Sequence, residues 1–156
     1  MHPNERLIHG FYSCFQQLDA VGMAECYAPD VVFSDPVFPC LEGGEAGAMW
    51  HMLASRAKEF QLTFRDVKAD DVHGSAHWEA TYLFSNTGRR VHNVIDAEFE
   101  FRSGLIVRHV DRFDFWRWSR QALGLSGALI GWTPLVRNAV RREAKKGLGQ
   151  FIAART

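Results

Sequence analysis

RVHNVIDAEFEFRSGLIVRHVDRFDFW, residues Arg90 to Trp116, decides how this chain folds. It reads as two long strands turned back on each other at Ser103-Gly104, where glycine supplies the positive φ of a tight hairpin. Side chains alternate along a strand, so Leu105, Val107, His109, Asp111 and Phe113 are expected on one face. On the first strand Val94 and Asp96 share a face. A histidine and two aspartates amid valine, leucine and phenylalanine are costly to bury unless they hydrogen-bond or line a wet cavity. The expectation is a cavity.

Working outward, Leu7, Ile8, Phe11, Phe15 and Leu18 recur at helical spacing within Pro3–Leu18. Asp19 suits the N-cap of a short second helix, stopped by Pro29. Val31–Asp35 reads as a strand with Val31, Phe33 and Asp35 on one face, and the following Pro36 holds Asp35 extended at its end. After the loop PVFPCLEGG comes a helix, Glu45–Phe60. Gln61–Val72, Ser75–Ser85, Arg90–Arg102 and Leu105–Trp116 then form four consecutive strands. Helices ahead of a long meander indicate an α+β fold, with the helices on one face of a curved antiparallel sheet. The remainder is helical, with a short helix ending at Gly124 and a last one opening on Pro134. The chain is read as a domain over 1–118 and a C-terminal helical extension over 119–156.

The composition is that of a globular protein, and its twelve Phe and five Trp suit both a core and an apolar pocket. No run is long and apolar enough to span a membrane, and the first residues lack a leader's basic-then-apolar pattern; a cytoplasmic protein is expected. Cys14, Cys26 and Cys40 lack metal or redox spacing and read as reduced thiols. No histidine pair has ligand spacing and no glycine-rich phosphate loop follows a strand, so neither metal nor cofactor is expected. Charge is uneven: from Arg117 onward eight basic residues face one acidic, a net +7 that the first 116 residues balance with −7. The basic tail could fold over the pocket or sheet, cross to a second subunit, or lie on an anionic membrane. The acidic body ranks docking to self or partner ahead of membrane contact. Nucleic-acid binding is not expected, because the basic helix lacks interleaved aromatics.

FYSCFQQLDAVGMAECYAPDVVFSDP, then a helix, then VIDAEFEFRSGLIVRHVDRFD, resembles the nuclear transport factor 2-like superfamily, and within it SnoaL-like and ketosteroid isomerase-related proteins. The likeness covers about residues 5–118. It implies a cone-shaped sheet enclosing an apolar pocket, and a homodimer through the sheet's outer face. In ketosteroid isomerases a general-base Asp precedes a Pro after the first strand, as Asp35 does in FSDP. A protonated Asp that donates to the oxyanion stands in a VID context, as Asp96 does. The tyrosine that completes that oxyanion hole falls at Phe11, with Tyr12 its neighbour. An inward His109 and Asp111 resemble SnoaL-type and dehydratase-type relatives, where such groups do acid–base work.

Each candidate has a plainer alternative. Asp35 could be a general base with its pKa raised by desolvation, or simply the start of an Asp-Pro turn. Asp96 could be a neutral acid or a partner of His109, or a buried carboxyl satisfied by ordinary donors. His109 could shuttle protons near neutral pH or be a satisfied core residue. It stands about 7 Å from Asp111 along the strand, too far for a direct pair without bending. Asp111 could orient His109 or pair with Arg108 or Arg112. Phe11, Phe15, Tyr27, Phe33, Trp50, Trp78 and Phe113, with Tyr12 and Val94, are the candidate lining for a small hydrophobic molecule. Cofactor-free isomerisation, dehydration or cyclisation is the leading reading; a non-catalytic binding module and a protein working through its tail are the others.

Overall fold

The computed structural model describes residues 1–156. Its elements run α1 (Pro3–Gln16), α2 (Ala20–Glu25), β1 (Tyr27–Ser34), β2 (Leu41–Glu42), α3 (Gly44–Arg56) and β3 (Gln61–Ala69). β4 (His73–Leu83), β5 (Arg90–Arg102), β6 (Leu105–Arg112), α4 (Phe115–Leu123), α5 (Leu125–Ile130) and α6 (Pro134–Arg155) complete them. The α+β class and the meander β3-β4-β5-β6 are as the sequence indicates. Gly104, at φ 75°, follows Ser103 in the β5–β6 turn. Asp19 caps α2 by accepting the Gly22 N–H, and Pro134 opens α6.

The sheet has six strands in the order β2-β1-β6-β5-β4-β3 and is open. It is mixed rather than wholly antiparallel, because β1 lies parallel to β6, with Phe33 opposite His109. Parallel strands need a long crossover, and α3 with the meander supplies it. Irregular pairing interrupts β1 between Tyr27 and Val32, β3 between Arg65 and Lys68, and β5–β6 at Glu100–Phe101. Such bulges bend strands and raise their twist, which curves this sheet around α1. On the concave side Ile8, Phe11, Tyr12 and Phe15 of α1 lie in one core with Ala76, Trp78, Ala80, Ala97 and Phe99. Small alanines on the sheet leave room for the helix's large rings.

Several boundaries move. Pro29 does not stop α2, which already ends at Glu25; it sits inside β1, where the irregular stretch needs no ladder N–H from it. The last long strand stops at Arg112 because Asp114 accepts the Arg117 N–H and starts α4. The tail folds back: Val136, Val140, Phe151 and Ile152 of α6 pack on the hydrophobic clusters, and Leu148 is buried within one. No helix is long and apolar enough to cross a membrane.

Candidate active site

A hollow of about 680 Å³ opens between the concave sheet, α3 and α6. That volume suits a small organic molecule. Phe15, Trp50, Trp78 and Phe113 line it, as the sequence suggests, joined by Val136 and Val140 of α6. Phe11, Tyr12, Tyr27 and Phe33 do not reach it; they are packed core behind the lining.

Asp35 sits at the end of β1 and lines the cavity. Its Oδ1 accepts the N–H groups of Val37 and Phe38 at 2.7 and 2.6 Å, while Oδ2 makes no hydrogen bond within the protein. Burial lifts its pKa from 3.8 to about 7; the two N–H groups and Arg141 pull downward, and the charge of Asp111 pushes up. Arg141 of α6 donates to the Pro36 carbonyl at 2.8 Å, tying the tail to this turn.

Asp111 also lines the cavity, and His109 stands directly behind it. Both are essentially excluded from solvent, at 3% and 0% exposure. The expected gap between them does not exist: His109 Nε2 lies 2.9 Å from Asp111 Oδ1. The imidazole, reaching with its far nitrogen, and the shorter carboxyl lean toward each other and close the ~7 Å between alternate residues of one strand face. Register also differs from expectation. Phe101 pairs with Ile106 and Glu100 with Arg108, so Val107 is an extra residue, and Ile106, not Leu105 or Val107, joins His109 inside.

The polar chain continues. Trp50 Nε1 donates to the Tyr27 hydroxyl at 2.9 Å, Tyr27 meets His109 Nδ1 at 2.8 Å, and Trp78 Nε1 donates to Asp111 Oδ1 at 3.3 Å. Tyr27 already accepts from an indole, so its own hydrogen has only His109 Nδ1 to go to. Nδ1 is therefore the bare nitrogen, and Nε2–H donates to Asp111. Burial pushes the Tyr27 phenol well above 10, which keeps that hydrogen in place. The chain ends on an indole, which releases no proton at ordinary pH. It therefore fixes Asp111 rather than conducting protons away from it.

Asp96 is the main correction. It projects from the outer face of β5, its side chain 79% exposed, and binds His77 Nδ1 at 2.9 Å. Val94 shares that outer face, while Asn93 and Ile95 line the cavity. The pattern was in the sequence: Val91, Ile95, Ala97, Phe99 and Phe101 alternate with His92, Val94, Asp96, Glu98 and Glu100, and the apolar set must be inside. Asp96 pairs with a histidine as one alternative held, but with His77 rather than His109. That pairing and Glu79 raise the His77 pKa.

Two residues that sequence reasoning missed face the hollow. Tyr82 accepts from Trp118 Nε1 at 3.0 Å, leaving its own hydrogen without an acceptor in the protein. Burial lifts its phenol to about 12. The Asn93 amide makes no hydrogen bond within the protein. Alternation from Ala76 through Trp78 and Ala80 reaches Tyr82 on the inner face and could have found it.

The family model for the SnoaL-like domain matches residues 8–109. No curated protein matches the chain. Similar solved structures include an NTF2-like protein of unknown function from Burkholderia pseudomallei, 18% identical with a TM-score of 0.68, covering 78% of this chain and 98% of that one. An epoxide hydrolase of the LEH-like kind from M. tuberculosis is 19% identical, with a TM-score of 0.66 over 83% of this chain and 96% of its own. TerC, co-crystallised with polyporic acid, is 18% identical with a TM-score of 0.67, covering 78% of this chain and 99% of TerC. At such identities these likenesses speak for the fold, and the family match extends over most of the chain: it belongs to the SnoaL-like family.

Proposed function

We propose that the protein is a cofactor-free acid–base enzyme acting on a small, largely apolar molecule that carries an oxygen function. The observation behind this is the state of Asp35. A carboxyl with a pKa of about 7 is half ionised at neutral pH, with one oxygen pinned by backbone and the other turned to an apolar hollow. That is the condition under which one group can both take and return a proton efficiently. Asp35 Oδ2 takes a proton from the bound molecule. Tyr82 and Asn93 supply donors for negative charge developing on its oxygen. Asp111, held by His109 and Trp78, is the second carboxyl and keeps Asp35 from ionising too readily. Isomerisation, dehydration and cyclisation all fit this set. An epoxide hydrolase and a protein holding polyporic acid among the structural neighbours agree with oxygenated, carbon-rich ligands. A homodimer through the outer face of the sheet, and a cytoplasmic setting in which Cys14, Cys26 and Cys40 stay as free thiols, belong to the same proposal.

A non-catalytic binding module is the second reading, favoured by the closed hydrogen-bond chain behind Asp111, which orients without conducting. A thermal-shift screen of lipophilic carbonyl and epoxide compounds identifies a ligand under either reading. Asp35→Asn then separates them. Turnover should fall by about 10²–10⁴-fold while affinity for the ligand stays within about threefold. Undiminished turnover in the variant would remove Asp35 from the chemistry, and no turnover of any bound compound by the native protein would leave the binding module standing.

A further inference from the structure

α5 is built inside out. Its side facing α4 carries glycine: a Cβ on Gly127 would collide with the Ser119 carbonyl oxygen, and one on Gly131, just past its end, with Ser119 Oγ. The two backbones approach so closely that no side chain fits between them. The large apolar residues therefore point away from the protein. Leu125 is 75% exposed, Leu129 64%, Ile130 46%, Trp132 66% and Leu135 73%. Scattered exposed leucines are ordinary on a surface, but five large apolar residues within eleven positions form a patch.

The charge around the patch is one-sided. From Phe115 to Arg142 there is no aspartate or glutamate, while Arg117, Arg120, Arg137, Arg141 and Arg142 are present. Arg141 is engaged by the Pro36 carbonyl. Arg120 lies over the Trp116 ring at 4.5 Å and Arg137 over the Phe115 ring at 5.8 Å, so aromatic faces hold guanidinium groups beside the patch.

We propose that the α4–α5–α6 corner docks on the surface of an anionic lipid bilayer, with Leu125, Leu129, Ile130, Trp132 and Leu135 entering the headgroup–acyl boundary. Arginines flanking an apolar cluster with a tryptophan fit such a boundary, where anionic headgroups meet the charge and the indole sits at the interface. A second copy of the chain fits less well. Two copies joined through this patch would set arginines against arginines with no acid between Phe115 and Arg142 to separate them. The same elements wall the hollow through Trp118, Leu123 and Val136. If the hollow takes an apolar molecule, as proposed above, docking sets its wall against the phase where such a molecule dissolves; this last step rests on that reading, and the docking does not.

The test is co-sedimentation of the full chain with phosphatidylcholine vesicles, with and without about a third phosphatidylglycerol, at low salt and at about 0.5 M salt. The native protein should sediment with anionic vesicles, less with neutral ones, and less at high salt. Leu129→Ser combined with Trp132→Ser should weaken vesicle binding by about tenfold or more. Both positions face solvent, so the melting point of the double variant should stay near the native one. Arg117→Gln with Arg120→Gln should lower binding to anionic vesicles and leave binding to neutral ones unchanged. A native protein that stays in solution with anionic vesicles overturns the proposal, as does a double apolar variant that binds as the native chain does. A native dimer that the double variant turns into a monomer, without vesicle binding, would assign the patch to a second copy and overturn it equally. Vesicle binding with no effect on the uptake of an apolar probe would retain the docking and count against passage of ligand from the bilayer to the hollow.

Discussion

Replacing Asp35 by Asn tests the site through stability alone, with no substrate needed. The native carboxyl has its pKa raised from 3.8 to about 7 by burial, so the folded protein holds this proton more tightly than the unfolded chain. The sign follows directly. Below about pH 4 the group is protonated in both states and takes nothing from stability. As pH rises from about 4 to 7 the unfolded chain ionises first, stability falls, and above about 7 the loss is constant. About three pH units at 1.36 kcal/mol each set an upper bound of ~4 kcal/mol, and water entering the hollow lowers this to about 2–4 kcal/mol. Asparagine has the same shape, and its Oδ1 can still accept from Val37 and Phe38. The variant should therefore be within about 1 kcal/mol of the native protein at pH 4.5 and about 2–4 kcal/mol more stable at pH 8. Urea unfolding at intervals across that range measures the difference, in which other titrating groups cancel to first order. A difference that does not change with pH, or a variant less stable than the native protein at pH 8, would show that the Asp35 carboxyl is not desolvated as described.

Two phenols in the same core should respond in opposite ways. Tyr27→Phe strips the Trp50 indole of its acceptor and His109 Nδ1 of its donor, and should cost about 2–4 kcal/mol in chemical denaturation. Tyr12→Phe removes a hydroxyl that is buried without a partner, and should be neutral or stabilising by about 1 kcal/mol. Asp96→Asn should leave ligand binding and turnover unchanged and alter stability by less than about 1 kcal/mol, because the side chain is largely in solvent. It should also lower the His77 pKa, read by NMR titration, since Asp96 is the first cause of its elevation.

The large features of the fold were legible because they are periodic. β5 kept its bounds at both ends, and the α1 stripe came from spacing alone. What failed was local and cooperative. Val107 reads as one more alternating residue, and only its pairing with β5 shows it to be a bulge. Whether His109 meets Asp111 depends on side-chain lean, which spacing does not encode. β2 is two residues long and exists because β1 offers it an edge, so no window of sequence marks it. Asp96 is a different kind of failure. Its local context resembles a functional one, yet the alternation of its own strand places it outside. Where a motif and a strand's periodicity disagree, periodicity answers to the burial of every residue in the strand and prevails.

Asp35 and Asp70 show how little of a site resides in its motif. Each carboxyl accepts two backbone N–H groups at i+2 and i+3, Val37 and Phe38 in one case, Val72 and His73 in the other. The local turn is the same. At exposed Asp70 those hydrogen bonds prevail, with His73 first, and the pKa falls. At Asp35 desolvation prevails and the pKa rises to about 7. The opposite outcomes come from what stands across from the carboxyl. At Asp35 that includes α6, whose Val136, Val140 and Ala144 wall the hollow and whose Arg141 is fastened to Pro36. α6 lies beyond residue 109, where the family match ends. The turn itself is thus an ordinary one, and the tail, by walling the hollow, helps to raise the proton affinity of its aspartate. It follows that the tail belongs to the site, and that its apolar face and its arginine tune the proton affinity on which the proposed chemistry depends.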